Sequence, residues 1–278
     1  MFKSLRKFGN LFFVSIYILL LSSCATIDQG HQPVYQQSAN SQEIAKASEV
    51  PQIAEAAQEE RDDIYMLLAY AIVLKDWQTD SSDPARGHNI GSILVDGAGK
   101  VVFWARNANK ITGNGTQHGE VRLIRNYLTN VKTYDLKDHV VYTTLEPCAM
   151  CSGMMVMTNI KRTVYGQTDP DFGKALERLC WDSHTLPNGF QPYPRCVKSE
   201  TSKNIIRQRL DQAYGKYQQS GGKGITKWLL SAEAKEIYQN ALKMFLNYQV
   251  KYPENIPILE RAREYHDKVP SEYVPLTD

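Results

Sequence analysis

The apolar positions of the chain change character three times. Leu11, Phe12, Phe13, Val14 and Ile16 to Leu21 form one almost unbroken apolar stretch. Residues 24–58 then carry few large apolar side chains and many Gln, Ser and Ala, which reads as a flexible tether. From Glu59 the pattern becomes periodic. Ile64, Leu67, Leu68, Ala71 and Ile72 recur at helical spacing, so the pattern predicts an amphipathic helix ending near Trp77. Asn89 to Asp96 and Lys100 to Asn107 read as two strands joined by the Gly97-Ala98-Gly99 turn, a hairpin. Val121, Leu123, Ile124 and Leu128 mark a helix that starts near His118. Val140 to Thr144 reads as a buried strand, Pro147 opens a short apolar helix, and Arg162 to Gly166 reads as a further strand. Strands alternating with helices over 59–180 predict an α/β layered domain. A Pro-rich irregular stretch with Pro187, Pro192 and Pro194 follows. Residues 181–278 then read as that loop plus a helical C-terminal extension, with helices near 202–219, 230–249 and 255–267. Gly221-Gly222-Lys223-Gly224 reads as a hinge between the first two of them.

The apolar N-terminal stretch falls short of the ~20 apolar residues of a membrane span. It follows the cations Lys3, Arg6 and Lys7 and ends in Leu21-Ser22-Ser23-Cys24. That order resembles a bacterial lipoprotein signal: residues 1–23 would be removed and Cys24 would carry lipid. The expectation is a lipid-anchored protein of the cell envelope. Ala25 after the cysteine points to the outer membrane, with the periplasmic face of the inner membrane as the alternative.

Of 278 residues, 42% are hydrophobic and 22% charged, enough for one substantial core with extensions. Lys plus Arg number 32 against 30 Asp plus Glu. Without the three cations of the signal, the balance is close to neutral. A dedicated nucleic-acid binder carries a basic excess, so the charge disfavours nucleic acid and favours a small-molecule partner.

The chemistry concentrates in two short motifs. His118-Gly119-Glu120 is followed by Pro147-Cys148-Ala149-Met150-Cys151. Cys148 and Cys151 at i and i+3 share one face of a first helical turn, where the helix N-terminus favours thiolates. One imidazole and two thiolates make three protein ligands and leave a fourth tetrahedral position open, the arrangement of a catalytic zinc rather than a structural one. One Zn2+ per chain is expected. Glu120 is free to move protons to and from a water at that open position. Residues i and i+2 of a regular helix point ~200° apart, so His118 and Glu120 share a cavity only if His118 sits at the helix start.

The order H-x-E…P-C-x-x-C is that of zinc nucleobase deaminases. Over about residues 60–176 the chain resembles the cytidine/deoxycytidylate deaminase superfamily. Tyr142 to Gly153 is similar to bacterial tRNA adenosine deaminases and fungal cytosine deaminase. Gly119 matches the fungal enzyme, and Tyr165-Gly166, Asp169 and Gly173 match the bacterial pattern. The resemblance implies a three-layer α/β/α fold around a five-stranded sheet, with zinc held at two helix starts. It implies that Asn107, the backbone of Gly119 and Asp169 contact substrate. The expected activity is hydrolytic deamination of a cytosine-, guanine- or adenine-type nucleobase or nucleoside. Two other readings stand beside it: a silent zinc-stabilised scaffold acting as an interaction module, and a deaminase that modifies nucleic acid. Glu120 argues against the scaffold, and the neutral charge against nucleic acid. The C-terminal helices could complete the pocket, form a homodimer contact or bind another protein. Cys180 and Cys196 flank the Pro-rich loop and are paired as a candidate disulfide. His31, His88, His139, His184 and His266 lack ligand spacing and read as surface or core residues.

Overall fold

In the computed structural model the backbone of residues 41–83 and 85–275 is described, with side chains from residue 52 onward. The chain divides into two compact units, residues 1–44 and 45–278, and nearly all of the described architecture belongs to the second. Cys24 and the segment before it lie outside the described residues. Among those described, no helix is long and apolar enough to cross a membrane.

The first helix, α1 (Ser41–Leu74), begins well before Glu59. Ala, Gln and Glu are good helix formers, so a stretch poor in large apolar residues can still be helical; composition alone had assigned it to the tether. Every residue from Ile64 to Val73 is buried, on all sides of the helix rather than along one stripe. A helix that is apolar all round belongs inside a core, and α1 is covered on two sides. Its Tyr65 ring packs on Tyr142 of the sheet at 5.0 Å, and its Tyr70 ring meets Tyr238 of the C-terminal region at 5.1 Å.

The hairpin forms as the pattern predicts. Strands β1 (Gly91–Val95) and β2 (Val101–Arg106) pair antiparallel, with an irregularity between Leu94 and Val95. Helix α2 (Gly119–Val131) leads to β3 (Val140–Thr143), antiparallel to β1. Helix α3 (Ala149–Met157) then crosses over to β4 (Arg162–Tyr165), parallel to β3. After the short α4 (Ala175–Leu179) and the Pro-rich loop comes β5 (Lys198–Thr201), parallel to β4. The sheet is five-stranded and mixed, in the order β2-β1-β3-β4-β5. Its fifth strand comes from the segment read only as loop and helices. Its sequence, KSET, sits on an exposed edge and carries no apolar alternation to signal it.

Alternate side chains serve the two faces of the sheet. Leu94, Ala105 and Val141 pack with α2, α3 and α4. Ile93, Tyr142 and Val164 pack on the other face with α1 and the C-terminal helices. Those helices are α5 (Ile205–Gln219), α6 (Ile225–Trp228), α7 (Ala232–Leu246) and α8 (Ile256–Lys268). Trp228, Tyr238 and Phe245 are fully buried in the same cluster as α1. The result is the expected three-layer arrangement, with one helical layer thickened by the C-terminal helices.

Candidate active site

Two helix starts converge at the ends of β1 and β3. His118 is the N-cap of α2 and Cys148 the N-cap of α3, both in extended conformation, and neither uses its side chain to cap its helix. Each side chain is therefore free to turn outward from the first turn. This satisfies the geometric condition read from the H-x-E spacing: His118 stands before the helix and Glu120 in its first turn, so both reach one cavity. Pro147 lies just outside the start of α3.

His118, Cys148 and Cys151 place one ligand atom each around a common point. His118 Nδ1 is 3.7 Å from Cys148 Sγ and 3.6 Å from Cys151 Sγ, and the two sulfurs are 3.6 Å apart. A tetrahedral zinc with Zn–S about 2.3 Å and Zn–N about 2.0–2.1 Å holds its ligand atoms about 3.5–3.8 Å apart, so the donor set fits one Zn2+ with a fourth position left over. Hydrogen bonding from Cys151, then from His118, draws the Cys148 thiol down to about 4 against the opposing effect of burial. The same sulfur–sulfur hydrogen bond, with burial, holds the proton on Cys151. Ligation requires that second proton to leave as well.

Glu120 is buried beside this triangle, with Oε2 3.5 Å from Cys151 Sγ. Thr143 Oγ1 donates to its Oε1 at 3.0 Å, and Ser92 shares a hydrogen bond of 3.0 Å with Thr143. Burial raises the Glu120 pKa above its ordinary value. A carboxyl fixed in orientation suits proton transfer.

Asn107 is fixed at three points. Its N–H donates to Ile90 O at 2.9 Å, its carbonyl accepts from the buried Arg86 guanidinium, and its Oδ1 accepts from Gly119 N at 2.6 Å. That leaves Nδ2 buried without a partner in a residue that lines the cavity. An oriented orphan donor is ready for an acceptor on a ligand. The Gly119 N–H is spent on Asn107, and Gly119 does not line the cavity. Its part in the structure is to orient Asn107 rather than to face a ligand. A Cβ there would stand 3.1 Å from Ala105 O, so the backbone approach suits glycine.

Asp169 does reach the cavity wall, but its Oδ1 accepts from Asp171 N and Phe172 N at 3.0 Å each, shaping its own loop. Glu146 clamps that loop by accepting from Asp169 N at 3.0 Å and Lys174 N at 2.8 Å. Gly173 is what lets the clamp close, since a Cβ there would lie 2.3 Å from Glu146 Oε2. Cys180 and Cys196 are free thiols in the structure rather than a disulfide. They do meet: burial first, and the Cys196 thiol second, push Cys180 up to about 11.

The cavity holds about 480 Å³, within the about 300–1,000 Å³ typical of small-molecule sites. Two parts of its wall were not legible in the pattern. His88, read as a surface or core residue, lines it, and burial keeps its imidazole pKa below the ordinary value. Gly224, Ile225 and Thr226, at the presumed hinge, close another side. The C-terminal helices thus help complete the pocket, one of the three roles open to them. Among the described residues the lining contains no lysine or arginine, while Asp169 and Asp171 both belong to it.

Residues 41–167 match the family model of the cytidine and deoxycytidylate deaminase zinc-binding region. The chain is 30% identical over 140 residues to the tRNA-specific adenosine deaminase of Haemophilus influenzae, spanning 50% of this chain and 79% of that protein. It is 34% identical over 91 residues to a Schizosaccharomyces pombe protein named "Probable cytosine deaminase", spanning 33% of this chain and 54% of the other. A solved guanine deaminase from Nitrosomonas europaea overlays with a TM-score of 0.36 at 14% identity, over 66% of this chain and 84% of that one.

Proposed function

Because the chain belongs to the cytidine and deoxycytidylate deaminase family, with a donor set that fits one zinc ion, we propose that it hydrolytically deaminates an uncharged nucleobase or nucleoside. The observation that carries the substrate half of this reading is the cavity lining. It has room for a base with or without its sugar, carries Asp169 and Asp171, and among the described residues offers no lysine or arginine to a phosphate.

His118, Cys148 and Cys151 would hold the zinc, which would supply a Lewis acid able to lower the pKa of a water to about 7. The rest of the chemistry belongs to side chains. Glu120 takes one proton from the water as its oxygen adds to the amine-bearing ring carbon and delivers it to the ring nitrogen, then takes the remaining proton from the added hydroxyl and delivers it to the amine that leaves as ammonia. Thr143 holds one Glu120 oxygen, which leaves the other to face the reaction. Asn107 Nδ2 donates to an acceptor on the ring edge and so fixes the plane of the base. His88, with its neutral imidazole, and Thr226 offer further polar contacts along the wall.

A screen of cytosine, adenine, guanine and their nucleosides for ammonia release tests the reading. Turnover is expected on at least one of them and should fall with Glu120→Gln. An adenosine in RNA is the second reading, favoured by the similarity to tRNA-specific adenosine deaminase. Turnover confined to RNA would select it. The signal-like residues Lys3, Arg6, Lys7 and Leu21-Ser22-Ser23-Cys24 support a further part of the proposal, export and lipidation at Cys24. Cys24→Ala is then expected to move the protein out of the membrane fraction, and an unchanged distribution would refute it.

A further inference from the structure

The wall of the catalytic cavity that carries Asp169, Asp171 and Phe172 is a single loop, residues 167–174, between β4 and α4. A loop has no regular backbone pairing, so its shape depends on where its amides and polar side chains find partners. Some of those partners lie close by. Asp169 Oδ1 accepts from the amides of Asp171 and Phe172, and Glu146 accepts from Asp169 N and Lys174 N. These bonds fix the middle and end of the loop to the segment that follows β3.

The first residues of the loop are held by the C-terminal extension. Asp211, on α5, accepts from Thr168 N at 3.0 Å through Oδ1 and from Thr168 Oγ1 at 3.3 Å through Oδ2. The buried Gln167 side chain donates to Leu210 O, the neighbouring residue of the same helix, at 3.3 Å. Arg207, one turn before Asp211 on α5, donates to Asp211 Oδ2 at 2.7 Å, and this charge-assisted bond fixes the rotation of the carboxylate. Ile206, Leu210 and Tyr214 bury α5 in the core cluster shared with α1 and the sheet, so the helix is itself anchored.

Neither Asp211 nor Thr168 lines the cavity, whereas the next residue, Asp169, does. The grip of α5 is therefore exerted one residue ahead of the wall that a substrate meets. His118, Glu120, Cys148 and Cys151 stand at the starts of α2 and α3. Among the described residues, no hydrogen bond joins any of them to Asp211 or Arg207.

We propose that Asp211 is a positioning residue for substrate: by holding Thr168 it sets the place of Asp169, Asp171 and Phe172 in the cavity wall, and Arg207 in turn orients Asp211. The proposal rests on the reading of this cavity as the site of a base or nucleoside. It gives the C-terminal extension a second part in the site beside the wall at Gly224 to Thr226. Its consequence is a separation of effects. A wall that touches the substrate equally before and during reaction contributes to KM and not to kcat. The groups that move protons and hold metal keep their places when that wall is released.

The test uses full-length, zinc-loaded protein and the base or nucleoside that the wild type turns over fastest. Asp211→Ala is expected to raise KM about tenfold and to leave kcat within about twofold of wild type. Asp211→Asn keeps an oxygen for Thr168 N and an N–H for Thr168 Oγ1, so it should recover most of the loss. Arg207→Gln leaves the carboxylate in place but frees its rotation, and should raise KM about two- to threefold. That variant carries the test should Asp211→Ala fold poorly. A second readout, hydrogen exchange by mass spectrometry, needs no turnover. In Asp211→Ala the peptide spanning 167–174 should exchange about tenfold faster, with the peptides of α2 and α3 unchanged. KM unchanged in both Asp211→Ala and Arg207→Gln, a fall in kcat as large as the rise in KM, or no recovery in Asp211→Asn overturns the proposal. Should the wild type deaminate no base or nucleoside, the substrate reading fails and exchange decides the role of Asp211 alone: acceleration confined to 167–174 upholds it, and unaltered exchange overturns it.

Discussion

The two cavities bordered by α2 and the segment before it have opposite characters. The one at the helix start is walled by Ile90, Leu145 and Met150, contains carboxylates and, among the described residues, has no lysine or arginine in its lining. The one further along contains two arginines, Arg122 and Arg125, and no carboxylate among the described residues. The difference is one of charge. At the helix start, carboxylates stand beside the metal ligands, and a neutral substrate meets apolar walls. Further along, arginines stand among neutral polar side chains. A chain that is close to neutral overall can therefore carry one cavity lined by carboxylates and another lined by arginines, which whole-chain charge cannot reveal.

The largest effect is expected from the metal ligands. Cys148→Ala should release zinc and abolish activity, with a fall in Tm that added zinc does not reverse, because zinc binding contributes to folding. Zinc stoichiometry and thermal melts check this, and a zinc-loaded, active variant would contradict it. Next, Glu120→Gln should retain one zinc per chain and lose about 10²–10⁴-fold in kcat, the usual share of a general acid–base group. Asn107→Ala removes the oriented donor and frees Gly119 N, and should cost about 10–100-fold in kcat/KM, corresponding to about 1.4–2.7 kcal/mol. An unchanged kcat/KM would show that Nδ2 does not meet the substrate.

A smaller effect addresses the contrast in charge directly. Asp171 is exposed and lines the catalytic cavity. Asp171→Asn should raise turnover of a nucleoside 5′-monophosphate relative to its nucleoside by about fivefold, since one screened charge contributes about 1 kcal/mol at close range. A ratio independent of the substitution would show that the carboxylate does not sense the phosphate.

The smallest effect concerns Asp63, away from both cavities, a half-buried carboxylate to set against the buried cation Arg122. Burial, offset in part by its hydrogen bond with Asn204, raises its pKa from 3.8 to about 6. The folded state therefore holds this proton more tightly than the unfolded chain. The stability it confers is full below about pH 4, declines as pH rises through about 6, and is absent above. Asp63→Asn should stabilise the protein above pH 7 by about 1 kcal/mol, after discounting for solvent screening, and not at all at pH 4. Denaturant midpoints at the two pH values decide it.

What was legible in the sequence follows from how the information is spaced. His118, Glu120, Cys148 and Cys151 sit in two short motifs whose local helix starts aim them, so chain order alone implies one site. Four of the five strands carry apolar runs. β5 does not, because an exposed edge strand of four polar residues needs only backbone pairing with β4. His88 and Thr226 were invisible for another reason: each enters the cavity wall through tertiary packing, the latter from a helix start more than a hundred residues beyond His118. Arg86, Arg106 and Arg122 line one small crevice and are likewise assembled from three separate segments. The motif carried by Asp169 was readable, but only the structure shows its Oδ1 engaged with its own loop.

The most direct test of the account compares kcat/KM for cytosine, adenine, guanine and their nucleosides with that for single-stranded RNA and DNA, at two salt concentrations, in zinc-loaded wild type and Glu120→Gln. Turnover of a free base or nucleoside that exceeds oligonucleotide turnover, changes little with salt and is lost in Glu120→Gln is the expected result. Oligonucleotide turnover that dominates and falls steeply with salt would contradict it, because phosphate contacts would then be supplying the binding that the cavity, without lysine or arginine, is held to provide.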